Sequence, residues 1–320
     1  MTMVSVMCGG VGAARFLRAL AGVHPGERTL AVVNTGDDTV MHGLSISPDI
    51  DTVTYTLAAA IDPERGWGLR DETWRAMQAL DRYAAVRPLG STAAPTWFNL
   101  GDQDLATHFY RTARLAEGAM LTEVTAEIAT AWGLPQQLIP MSDDRVTTMV
   151  TLLAEGIEVP FQEYFVQRHH SVPVSGVRFD GAEVARPTSA ALSAFTDSEV
   201  VVIAPSNPLV SIAPIRALVG IDAVLSARRD SVVAISPIVG GAALKGPADR
   251  MLEELGHEAS VVGVARLYAA IAGTLVIDPI DAHLAADVEA AGMRALITPS
   301  VMSTPEIGHE LARQTLAAAR

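Results

Sequence analysis

Two clusters of residues have types and spacing suited to chemistry. A short apolar run, Met3–Met7, ends in Cys8-Gly9-Gly10-Val11-Gly12-Ala13-Ala14-Arg15. A second, ending at Val33, delivers Asn34-Thr35-Gly36-Asp37-Asp38, and Ser47-Pro48-Asp49-Ile50-Asp51-Thr52 follows. Glycines where a strand hands over to a helix leave bare N–H groups that attract an anion, helped by the helix dipole. Asp37, Asp38, Asp49 and Asp51 supply the hard oxygens that a divalent cation needs. Together the clusters point to a metal-bridged phosphate ester. Plainer roles stay open: a tight turn for the glycines, a turn residue in Asp37, and an N-cap in Asp51 for a helix from Thr52.

The glycine turn is neither of two familiar phosphate motifs. No Gly-Lys-Ser/Thr follows it, and Arg15 stands where a dinucleotide fingerprint has its third glycine. Later loops have comparable chemistry. Gly101-Asp102-Gln103-Asp104 opens a helix that carries His108 one turn inside, suited to a polar ring or a cation, or simply an acidic helix start with a surface histidine. Asp143 and Asp144 follow Pro140, as a site loop or a solvated turn. Ser206, Asn207 and Pro208 close an apolar strand, and Ser236-Pro237-Ile238-Val239-Gly240-Gly241 repeats that arrangement. His169-His170 lacks further ligands in spacing and reads as surface. Lys245, the only lysine, lies in a glycine-rich stretch from which it could reach a phosphate; a compositional bias toward arginine is the bland account.

Elements that would position these residues are legible as alternation. Met3–Met7, Thr29–Val33, Val200–Ala204, Val232–Ile235, Thr274–Ile277 and Ala295–Ile297 read as buried strands. Between them run alanine-rich helical stretches, among them Ala13–Ala21, Thr52–Ala60, Glu72–Tyr83, Asp104–Glu117, Leu121–Trp132 and Pro305–Ala319. The pattern predicts an α/β fold with a doubly wound, Rossmann-like parallel sheet. The expected organisation is a single α/β domain over 1–320, with a helical insertion at about 62–134 and a small β-rich insertion at about 146–186. Asp180-Gly181 is expected to turn a hairpin between Val174–Phe179 and Ala182–Ala185.

The chain has 320 residues, 49% of them hydrophobic, and a formal charge of −13. A large core is affordable, and the charge argues against a general nucleic-acid or membrane-surface binder. Cys8 is the single cysteine, so neither an intrachain disulfide nor a thiolate zinc site is expected. With no basic-then-apolar leader pattern at the N-terminus, the expectation is a soluble cytoplasmic protein. An apolar surface on the helical insertion would suit a homodimer.

Taken together, the motifs resemble the phosphoenolpyruvate/2-phospho-L-lactate transferases of coenzyme F-420 biosynthesis. The resemblance spans most of the chain: the glycine turn, Val33–Asp38, Ser47–Thr52, Arg65-Gly66-Trp67-Gly68, Gly101–His108, Pro140–Asp144, Pro205–Pro208 and Ser236–Ile238. It implies transfer from a guanosine diphosphate ester of lactate or enolpyruvate to the ribityl hydroxyl of 7,8-didemethyl-8-hydroxy-5-deazariboflavin, with magnesium and release of GMP. Asp37, Asp38 and Asp51 would be catalytic, with Asp37, Asp49 and Asp51 holding the metal. Gly9, Gly10 and Gly12 would face phosphates, and Ser206, Asn207 and Pro208 the guanosine half; Asn34, Asp102, Asp104, His108 and Asp143 would complete the substrate cleft. One departure is Gln103, where the family usually has arginine. The competing readings are a non-catalytic nucleotide-sugar-binding regulator of the same superfamily and, more remotely, a nicotinamide-linked dehydrogenase.

Overall fold

The computed structural model describes residues 2–91 and 93–319. Seven parallel strands form the central sheet: β1 (Val4–Cys8), β2 (Thr29–Val33), β3 (Gln137–Pro140), β4 (Val200–Ile203), β5 (Val232–Ile235), β6 (Thr274–Ile277) and β7 (Arg294–Ile297). Their order across the sheet is β3-β2-β1-β4-β5-β6-β7, all parallel. This is the expected doubly wound topology, and it reverses between β1 and β4, where the carboxyl ends of the strands open a crevice.

Burial on both faces explains the continuous apolar runs. Every residue of β1, β4, β5 and β6 is buried, because helices cover each side of a parallel sheet. Val4, Val6 and Cys8 pack with α1 (Gly10–Ala21) and the C-terminal helix Pro305–Ala318; Met7 and Val32 join the opposite layer with helices at Ser189–Asp197 and Ile221–Ala227.

Three departures from the sequence reading matter for the site. α2 (Pro48–Leu57) starts earlier than Thr52, with Ser47 as N-cap and Pro48 in the first turn. A proline there sacrifices no helical hydrogen bond, so Asp49 and Asp51 lie inside the helix and Asp51 is not its cap. β3 escaped notice because it offers only Leu138 and Ile139 as strand-like apolar residues and ends in Pro140. It stands at the sheet edge, where proline is tolerated. The hairpin across Asp180-Gly181 does not form. Val174–Asp180 pairs instead with Thr147–Leu152, which also pairs with Glu158–Pro160. Gly181, at φ +86, bends the chain so close to Arg145 that a Cβ would stand 2.7 Å from its carbonyl oxygen.

Between β2 and β3 lie α2, α3 (Arg75–Ala84), α4 (Asp104–Ala116) and α5 (Leu121–Ala131). The three-stranded antiparallel sheet lies between β3 and β4. Among the described residues no single helix is long and apolar enough to cross a membrane.

Candidate active site

At the switch point two loops are in contact. Gly9 is extended, Gly10 turns at φ +72, and α1 begins. Ser206, in the loop after β4, donates its hydroxyl to the Gly9 carbonyl at 2.8 Å and accepts the Gly9 N–H at 3.4 Å. A Cβ at Gly12 would stand 2.2 Å from the Pro205 carbonyl oxygen, so the close approach of the two loops requires glycine there. Asn207 and Pro208 shape the loop: the Asn207 side chain accepts the Leu209 N–H at 2.9 Å, and Pro208 is buried as the next turn begins.

The acidic residues lie directly on this turn. A Cβ at Gly9 would meet Asp49 Oδ2 at 2.7 Å, and the Gly10 N–H donates to the same carboxylate. Asn34 braces the arrangement, donating Nδ2 to Asp49 Oδ2 at 2.9 Å while its Oδ1 accepts the Gly36 N–H at 2.8 Å. Asp38 Oδ2 accepts the Ser47 hydroxyl at 2.7 Å. The antiparallel sheet and the helical turn that follows its Glu158–Pro160 strand support the Asn34–Asp38 loop from the other side: the Thr148 N–H donates to the Gly36 carbonyl at 2.7 Å, and Gln162 Nε2 to the Asp37 carbonyl at 3.4 Å.

Crowded carboxylates resist ionisation. Burial, then the charge of Asp49, pushes Asp37 well above the ordinary carboxylate range, and burial does the same to Asp38 although Ser47 opposes it. Asp49 is pushed up to about 6 by burial, against the hydrogen bonds from Asn34 and Gly10. Among the described residues Asp38 Oδ1 is buried without a hydrogen-bond partner, and so is Asp37 Oδ1, although Thr148 and Asn34 lie close enough to its carboxyl to oppose the rise. Orphaned hard oxygens in an acidic group fit a divalent cation, which would relieve the mutual repulsion.

Behind this wall, α2 and α4 share a buried polar network. Arg111 engages both oxygens of Asp51, Nη1 at 3.1 Å from Oδ2 and Nη2 in closer contact with Oδ1. Its Nη1 also lies 3.3 Å from His108 Nδ1, and His108 Nε2 lies 3.2 Å from Asp104. Asp104 accepts the Tyr55 hydroxyl at 2.6 Å. Burial raises Asp104, but His108, the Tyr55 hydroxyl and the charge of Arg111 together outweigh it and leave the carboxyl below its ordinary value. Asp51, Asp104 and His108 offer ligand atoms within 4.8 Å of one another, the one such group among the described residues. The Arg111 guanidinium touches Asp51 and His108, so a cation already serves much of that group.

Sequence reasoning passed over Arg111 and Tyr55. The available signal was helical spacing: Asp104, His108 and Arg111 fall at i, i+4 and i+7 on α4, and Asp51 and Tyr55 at i and i+4 on α2. Two other expected site residues have local partners elsewhere. Asp102 is exposed and accepts the Thr73 N–H at 2.7 Å, while Asp143 accepts the Thr122 N–H and hydroxyl, both at 2.8 Å, at the start of α5. Gln103, exposed, places Nε2 3.4 Å from the Arg70 carbonyl.

Residues 4–297 match the family described as 2-phospho-L-lactate transferase CofD. The chain belongs to that family. A phosphoenolpyruvate transferase of Kitasatospora aureofaciens is 41% identical over 99% of this chain and 97% of its own length. Its Mycobacterium tuberculosis counterpart is 38% identical over 97% and 96%. Transferase activity is what the family and these relatives have in common. Among solved structures, a Bacillus halodurans protein superposes at TM-score 0.61 with 15% identity, covering 98% of this chain and 99% of its own, and a second structure, described as a UPF0052 family member from the same organism, also gives 0.61; these matches establish the fold alone.

Proposed function

We propose that the protein transfers a phosphoenolpyruvyl or phospholactyl group from its guanosine diphosphate ester to the ribityl hydroxyl of 7,8-didemethyl-8-hydroxy-5-deazariboflavin, releasing GMP, as a cytoplasmic step of coenzyme F-420 biosynthesis. The observation that carries this reading is the acidic group lying on the glycine turn at the switch point, with Asp49 against Gly9 and Gly10. The name borne by relatives up to 41% identical favours the enolpyruvyl donor.

The hydroxyl oxygen attacks the phosphorus that carries the three-carbon group. The bond from that phosphorus to the bridging oxygen breaks, the bridging oxygen leaves on GMP, and the hydroxyl proton passes to a neighbouring carboxylate or to solvent. Phosphoryl-type transfer depends mainly on positioning and charge neutralisation. Asp37 and Asp49, which have no cationic side-chain partner among the described residues, and the orphaned Asp38 Oδ1 would hold magnesium. Bound there, the ion would neutralise diphosphate charge. Asp51, paired with Arg111, would fix the acid-bearing turn of α2, and Asp104 and His108 would extend that support toward the acceptor. Ser206 holds the glycine turn in register for the guanosine half. We place both intervening segments, about 62–134 and 146–186, on one catalytic domain, with exposed Tyr83, Val86, Leu89 and Phe109 available to a homodimer contact.

The test is incubation of the purified protein with the deazaflavin acceptor, magnesium and each guanosine diphosphate ester in turn. GMP and the phosphodiester product should appear together, in equal amounts, with one donor or both. No product from either donor would remove the proposal.

A further inference from the structure

Lys245 is the one lysine in the chain, and the transfer as described gives it no task. It is carried on an arm with a fixed root. After β5, Ile238–Val239 and Ala242–Ala243 pair antiparallel around Gly240-Gly241, whose φ values of +61 and +79 suit a two-residue hairpin turn. Ile238 is fully buried, Ser236 bonds to its backbone, and the Gly240 N–H donates to buried Asp281 at 2.9 Å. Beyond the hairpin, Leu244, Lys245 and Gly246 are exposed before Pro247 returns the chain to the core.

The arm's end comes to Gly66, a position that also faces the Val11 side chain of the first glycine turn. The point where a Cβ on Gly66 would stand lies 3.0 Å from Lys245 Nζ and 3.6 Å from Val11 Cγ1. Val11 sits between Gly10 and Gly12 at the start of α1, so the ammonium is delivered beside the turn from the side of β5. Among the described residues no carboxylate pairs with it. Two other cations of the site are already committed: Arg111 is fixed on Asp51, and Arg65 on Asp62 and Glu72. A lysine without a partner in a chain of net charge −13, held beside an anion-attracting turn, has its charge available to a ligand.

We propose that Lys245 binds the phosphate that leaves with GMP, neutralising the charge that gathers on it as the bond to the bridging oxygen breaks. The inference rests on the guanosine donor of the proposed function. It divides charge compensation in two: the carboxylate-held ion on one side of the diphosphate, and this ammonium on the other.

Because the chain has a single lysine, its amine can be followed directly. The intact protein is acylated with a succinimidyl ester in magnesium buffer, with and without GDP, and modification at Lys245 is read by mass spectrometry against the α-amine as internal reference. In parallel, GMP and GDP affinities are measured calorimetrically for the wild type, Lys245→Met and Lys245→Arg. The expected result is loss of Lys245 labelling at saturating GDP, GMP and GDP affinity lower by roughly 10-fold or more in Lys245→Met, and partial recovery in Lys245→Arg. GDP binding with unchanged labelling overturns the inference and leaves the donor assignment standing. Protection together with unaltered affinity in Lys245→Met also overturns it, since the amine would then be covered without taking part. Failure of the wild type to bind either nucleotide removes the donor assignment, and the role of Lys245 with it.

Discussion

Arg111 is among the largest fully buried side chains in the protein, and its replacement by methionine isolates one electrostatic contribution. Methionine is a comparable helix former and refills much of the volume of the arginine stem, so the expected loss comes chiefly from charge. Both Asp51 oxygens lose their donor, and Asp38 loses a nearby positive charge. Two unit charges about 4 Å apart attract by about 4 kcal/mol at the effective dielectric of ~20 that describes most protein sites. Removing one partner of a buried pair typically costs about 3–5 kcal/mol, because the remaining charge is stranded. We therefore expect Arg111→Met to lose about 4 kcal/mol, measured as a shift of the urea midpoint at unchanged slope. Adding Asp51→Asn should recover about 2 kcal/mol of that loss, because the stranded charge is gone. A loss below about 1 kcal/mol would put the pair on the footing of an exposed salt bridge and refute the reasoning.

Further expectations concern the rest of the site. Asp49 has a folded pKa of about 6, above its unfolded value, so the native state holds the extra proton and stability falls as pH rises from about 4 to 6. In chelator, Asp49→Asn should therefore be more stable than wild type by about 1–3 kcal/mol at pH 8 and no more stable at pH 4; an equal effect at both would contradict the burial account. Gly12→Ala gains about 1 kcal/mol of helix propensity but drives its Cβ to 2.2 Å from the Pro205 carbonyl oxygen, so a net loss of about 1–3 kcal/mol is expected in thermal unfolding. A stabilised variant would show that the two loops can part freely. Asp143→Ala should lose about 1 kcal/mol through the start of α5 and keep its turnover, whereas lost turnover would return Asp143 to the cleft.

What was legible in the sequence follows from the range of each interaction. The inner strands announced themselves because burial on both faces demands unbroken runs such as Val200–Ile203. β3 did not, since an edge strand pairs on one side only and can afford Gln137 and Pro140. Within the site, the glycines and the acids were each visible as local clusters. Their contact was not: Gly10 meets Asp49 only because β1 and β2 lie side by side and α2 returns over them. Arg111 was hidden for a similar reason. Its partner Asp51 is 60 residues away, and an arginine among the polar residues of an amphipathic helix carries no mark of burial until α2 and α4 are packed.

The edge position of β3 has a mechanical consequence. The segment bearing the Asp51–Arg111 network leaves the sheet at β2 and rejoins it at β3, and the segment bearing Thr148 and Gln162 starts from β3 and rejoins at β4. Both sides of the cleft thus share one suspension point, four residues long and bonded to a single neighbouring strand. The glycine turn is independent of β3, tied instead by Ser206 to the loop after β4. Loss of the β2–β3 pairing would therefore free one end of the wall that carries Asp51 and Arg111 and one end of the segment that braces the acidic loop in a single event.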